Sequence, residues 1–107
     1  MKSYPVELGG KTRNIRYDFN ALCDLEEVTG KSVSELTGLS SIRALLWAGL
    51  KWETKGITTQ VVGMWIEEHL ANNGKVDDLL GSAIKALGAS GIMKQADKED
   101  EADTPGE

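Results

Sequence analysis

The sequence predicts a mainly α-helical domain of four or five helices, entered through an N-terminal β-hairpin. Three observations carry this. The stretch Val76–Leu87 places Val76, Leu79, Leu80, Ala83, Ile84 and Leu87 at i, +3, +4, +7, +8 and +11, the spacing of one helix face. The stretch SIRALLWAGLKW, Ser41–Trp52, is apolar around nearly its whole circumference, with a polar edge only at Arg43 and Lys51. Such a helix is buried on several sides at once, and it falls short of the ~20 apolar residues that a membrane span needs. Residues Tyr4–Tyr17 alternate apolar and polar on either side of Gly9-Gly10, as a hairpin does.

In the hairpin, an even loop at Gly9-Gly10 puts Tyr4, Val6, Leu8, Ile15 and Tyr17 on one face, whereas an odd loop splits that set. A loop of two or four residues is therefore expected. Asp18 is expected to cap the next helix, FNALCDLEEVTG, with Ala21, Leu22, Leu25 and Val28 on its inner face, Phe19 beside them and Gly30 ending it. Cys23, flanking Phe19, reads as a small core residue. Ser32 and Glu35 match a capping box, opening a short turn that Gly38 ends. Ser40 or Ser41 is the expected cap of the central helix.

After the polar loop Glu53–Gly56, Thr58 is placed to cap a helix reaching about Asn72. Val61, Val62, Trp65, Ile66 and Leu70 form its apolar face. Asp77 and Asp78 fall in the first turn of the last helix, where the macrodipole favours anions. The single domain is expected over residues 1–92. Residues 93–107 read as an acidic disordered tail, with six acids against two lysines from Lys94 onward, a net of −4. The body then keeps only −1 of the chain's −5.

Charge of this sign argues against a nucleic-acid partner. One cysteine permits no internal disulfide, which fits a cytoplasmic protein. No apolar signal region opens the sequence, and no membrane partner is expected. Catalysis requires a nucleophile beside a base, paired carboxylates or a metal cluster, and none is apparent. His69, the only imidazole, is placed between Val62 and Trp65 as a half-buried residue with its hydrogen bonds met. Gly9-Gly10-Lys11-Thr12 matches only the end of a phosphate-binding loop and leads into a strand. The expectation is a protein that is not an enzyme and carries no cofactor or metal.

Three residues stand out as partner-binding candidates. Trp47 and Trp52 lie on different sides of the central helix, and Met64 lies opposite the apolar face of the following one. An all-round apolar helix in so small a domain leaves surface that few elements can cover, and such patches mark interaction sites.

The residues Arg16-Tyr17-Asp18-Phe19-Asn20-Ala21-Leu22, Leu25-Glu26-Glu27, Thr29-Gly30-Lys31-Ser32 and Arg43–Leu50 resemble the tail assembly chaperones of long-tailed phages and prophages, including the related small protein of gene transfer agents. The resemblance spans about Val6 to Leu87. It implies a non-enzymatic protein of the bacterial host cytoplasm that keeps the tape measure protein soluble and helps recruit tail tube protein. Homo-oligomer formation is also open. Two other classes compete with this one. They are a structural tail or connector subunit retained in the particle, and a small helical adaptor outside phage biology.

Overall fold

The computed structural model describes residues 2–91; the tail expected over 93–107 lies outside them. Strand β1 (Tyr4–Leu8) pairs antiparallel with β2 (Lys11–Ile15). Gly9 and Gly10 form a two-residue loop, with φ of +64° and +79°. Positive φ at both loop positions is what a tight hairpin of this twist demands, and glycine meets it without steric cost. The register sets Tyr4 opposite Ile15 and Val6 opposite Arg13. Val6, Leu8, Ile15 and Tyr17 are buried on the inner face, as the even loop requires, and Tyr4 is half-buried.

Four α-helices follow among the described residues: α1 (Phe19–Thr29), α2 (Leu39–Leu50), α3 (Thr59–Ala71) and α4 (Val76–Ala89). Asp18 accepts from the Ala21 N–H at 2.7 Å, and Thr58 accepts from the Val61 N–H at 3.2 Å. Both caps satisfy donors that the helix cannot. Gly30 takes φ +69° and its N–H reaches the Glu26 carbonyl at 2.8 Å. The Glu35 carboxylate accepts from the Ser32 N–H and hydroxyl, opening a 3₁₀ turn, Val33–Glu35. These bonds hold the Glu35 carboxyl below its usual range.

Helix α2 is the centre, packing against α1, α3, α4 and β2. Ala44, Leu45, Leu46, Ala48, Gly49 and Leu50 are all buried. The ribbon lies on this helix at Gly49, where a Cβ would sit 2.6 Å from the Ile15 side chain and 2.9 Å from the Tyr17 ring. The same approach lets the Arg16 N–H donate to the Gly49 carbonyl at 2.9 Å and the Tyr17 hydroxyl to the Leu45 carbonyl at 2.7 Å. Helix α4 covers β1, and the Ser82 hydroxyl donates to the Pro5 carbonyl at 2.7 Å.

Several expectations are corrected. Helix α2 begins a residue or more before the expected caps: Gly38 is its N-cap, with φ +86° and no side-chain bond, and Ser41 is buried inside the first turn. It ends at Leu50, so Trp52 belongs to the turn beyond. Phe19 and Cys23 are exposed, because α1 packs with only one side on α2 and the 3₁₀ turn. Val28, Leu70 and Ile84, each assigned to an inner face, are more than two-fifths exposed. In α4 the buried line runs through Leu79, Ala83 and Ala86. The small alanines allow close packing, and the helix is turned enough to carry Ile84 outward.

The Gly49 contact gives a direct test. Gly49→Ala is expected to cost about 1–3 kcal/mol through overpacking, read as a lower urea midpoint. Burial pushes the Tyr17 hydroxyl far above its ordinary range. A pKa raised on folding gives stability that is present below the unfolded value of ~10 and lost as pH rises past it. Tyr17→Phe is therefore expected to cost about 1 kcal/mol at neutral pH. Its deficit against the parent should shrink above pH ~10, as equilibrium unfolding at several pH values would show.

Candidate interaction surface

Of the three residues singled out, the two tryptophans are tied into the fold at different places. The Trp47 indole N–H donates to the Ile57 carbonyl at 2.9 Å, pinning the connection that leads to α3. Lys51 lies over its ring, 4.7 Å from the centroid, and pairs with Asp24 of α1. The Trp52 indole N–H donates to the Asn14 carbonyl at 2.9 Å, clipping the turn after α2 to β2. The Arg16 guanidinium covers that ring at 4.2 Å. Both indoles are half-buried. Met64 is 68% exposed on the outer side of α3.

Beside Trp52, Glu53 accepts from both the backbone and the side chain of Asn14 at 3.0 Å. Those bonds, the side-chain one foremost, hold its carboxyl below the ordinary range. His69 is half-buried, its Nε2 3.1 Å from the Lys75 carbonyl and 3.6 Å from Asp78. A Cβ at Gly74 would collide with this imidazole, at 2.3 Å from Nε2. Among the described residues, no three His, Cys, Asp or Glu side chains gather where they could hold a metal ion.

Arg13 was not anticipated. It is buried, only 6% exposed, on the inner face of β2. Its Nε donates to the Leu8 carbonyl at 2.6 Å, and its guanidinium stacks 3.7 Å from the centre of the Trp65 ring. Gly9 completes this layer, since a Cβ there would lie 2.6 Å from the same indole. The hairpin turn is thus fastened to α3 by a cation held between backbone and an aromatic face. The signal was present in the register. With Ile15 and Tyr17 inward, period two puts residue 13 inward as well.

The apolar surface that remains open lies elsewhere. A groove of about 310 Å³ runs between the N-terminal half of α2 and the C-terminal half of α3, ending at Val76 of α4. Ile42, Ile66 and Val76 are half-buried along it, while Leu39 and Leu70 stand 82% and 45% exposed at its rim. Arg43 of α2 and Glu67 of α3 complete the walls. No sequence signal marked Leu39, because it fell between the 3₁₀ turn and the expected start of α2. Among the described residues, no helix is long and apolar enough to cross a membrane.

Compared with family models, curated proteins and solved structures, the chain matches none.

The two kinds of candidate separate on stability. Trp52→Ala is expected to cost about 2 kcal/mol, less than a fully buried tryptophan. Met64→Asp should stay within about 0.5 kcal/mol of the parent. Chemical denaturation of the two variants side by side checks both.

Proposed function

We propose that this chain is a tail assembly chaperone of phage or prophage type, which binds the tape measure protein and assists tail tube assembly in the bacterial host cytoplasm. The observation that carries this is large apolar side chains left open on a small domain: Leu39, Met64, Phe19 and Ile84 are each more than three-fifths exposed. Of the exposed apolar residues, Leu39 and Leu70 stand together on one groove with Ile42, Ile66 and Val76, and contiguous apolar surface of this kind marks interaction sites on small proteins. It supports a protein that works by binding rather than by bond chemistry.

The resemblance to tail assembly chaperones supports the same reading, and its residues have definable tasks. Asp18 caps α1, Gly30 ends it, and Leu22 and Leu25 are core. Tyr17 anchors the ribbon on Leu45, and Leu46, Ala48 and Gly49 form the buried side of α2. These residues carry the fold; the exposed apolar ones are left to carry the client.

Co-expression with the tape measure gene from the same locus tests the proposal. The expected result is a tape measure protein that stays in the supernatant only when this chain is present, with the chain absent from purified tails. Retention in purified tails would make it a structural subunit instead. A gene neighbourhood without tail genes, joined to no effect on any tape measure segment, would leave a helical adaptor.

A further inference from the structure

We infer that the groove between α2 and α3 seats an amphipathic α-helix from another protein, whose apolar stripe is flanked by a carboxylate that reaches Arg43. This deepens the proposed function and rests on it, in that it names the surface and the chemistry of the client segment.

The length of the groove fits such a guest. Gly63 and Leu70, at the two ends of its α3 wall, are seven residues apart, about 10 Å along a helix. A docked helix with anchors at i, i+3, i+4 and i+7 spans the same distance. The walls are helices, whose backbone groups beyond the first turn of α2 are paired internally. An extended guest would find no ladder there for its own N–H and C=O groups, whereas a helical guest arrives with them satisfied.

Charge selects the guest further. Arg43 runs across Gly63, where a Cβ would lie 3.1 Å from its Cδ. Its Nε is sealed from water and has no hydrogen-bond partner among the described residues. Covering the guanidinium with a purely apolar helix would bury a charge without a counterion, which is costly. A carboxylate on the guest supplies a charge-assisted acceptor instead. The Glu67 carboxylate, on the opposite wall, makes no hydrogen bond or ion pair among the described residues, so a basic residue across the guest stripe is accommodated there.

A second copy of this chain fits less well. Among the described residues its exposed large apolar side chains are Phe19 and Val28 on α1, Leu39 on α2, Met64 and Leu70 on α3 and Ile84 on α4. No described helix repeats them at i, i+3 or i+4, and i+7.

The test uses the full chain and two synthetic helical peptides of about 18 residues, long enough to hold some helix alone. Each carries Leu at i, i+3, i+4 and i+7, and the two differ only in a Glu or a Lys flanking the stripe. Amide shifts are followed on titration. The Glu peptide is expected to move Leu39, Ile42, Ile66 and Leu70, and to bind roughly tenfold or more tighter than the Lys peptide. Arg43→Gln should erase that preference. Leu39→Asp lies in the first turn of α2, where an acid suits the helix; it should weaken binding while leaving the rest of the spectrum in place. Equal affinity for the two peptides, or shifts confined to other surfaces, overturns the inference. So does self-association that moves the groove residues without peptide. Tape measure capture that survives Leu39→Asp would also defeat the groove while leaving the chaperone reading intact. Selective binding of the Glu peptide, without any tape measure capture, would do the reverse.

Discussion

The missing side chain at Gly49 is the constraint on which the rest depends. It lets the backbone of α2 approach Ile15 and Tyr17 within a distance that a Cβ would occupy. That approach brings the Arg16 N–H onto the Gly49 carbonyl and the Tyr17 hydroxyl onto that of Leu45. A two-stranded ribbon is not stable alone in water. Here its inner face becomes one wall of the core, and α2 becomes a helix buried on the ribbon side as well as by its helical neighbours. The apolar girth of α2 follows from this geometry, since four elements meet it.

A second set of contacts locks the ends of that arrangement. Arg13, Trp52 and Trp47 each tie a connection to a neighbouring element: the hairpin turn to α3, the turn after α2 to β2, and the lead into α3 to α2. In all three an aromatic ring meets a cation, and a polar N–H meets a backbone carbonyl. The Asn14 carbonyl of β2 and the Ile57 carbonyl before α3 would otherwise depend on water for a partner. The large aromatic residues, which composition alone presents as either core or interface, serve here largely as joints between elements.

The uncovered apolar surface includes the groove between the N-terminal end of α2 and α3, beside exposed residues on α1 and α4. Only Val62 of α3 is buried, so this helix rests on the domain by a narrow line and its flanks stay open. That is a costly arrangement for an isolated domain, because partly covered apolar residues contribute less than buried ones. It is a favourable one for a protein whose surface is completed by a partner.

The sequence by itself determined the element order, both side-chain helix caps, the glycine that ends α1 and the even parity of the hairpin loop, whose length of two residues rather than four the structure decided. Each is a local matter, decided by side chains within a few residues of one another: Asp18 with Ala21, Thr58 with Val61, Gly9 with Gly10. Periodicity also identified most of the core, down to Leu25, Leu46 and Leu79. The start of α2 went astray because Gly38 and the serines compete locally, and the burial of Ser41 inside the domain settles it. Only tertiary structure decided which apolar residues stay outside. Ile84 and Val28 have the right spacing for an inner face, yet no described element covers them. Arg13 has the wrong character for a core position, yet Trp65, fifty-two residues later in the chain, supplies the face that accepts it. Burial is a property of what lies across from a residue, and a local pattern holds no record of that.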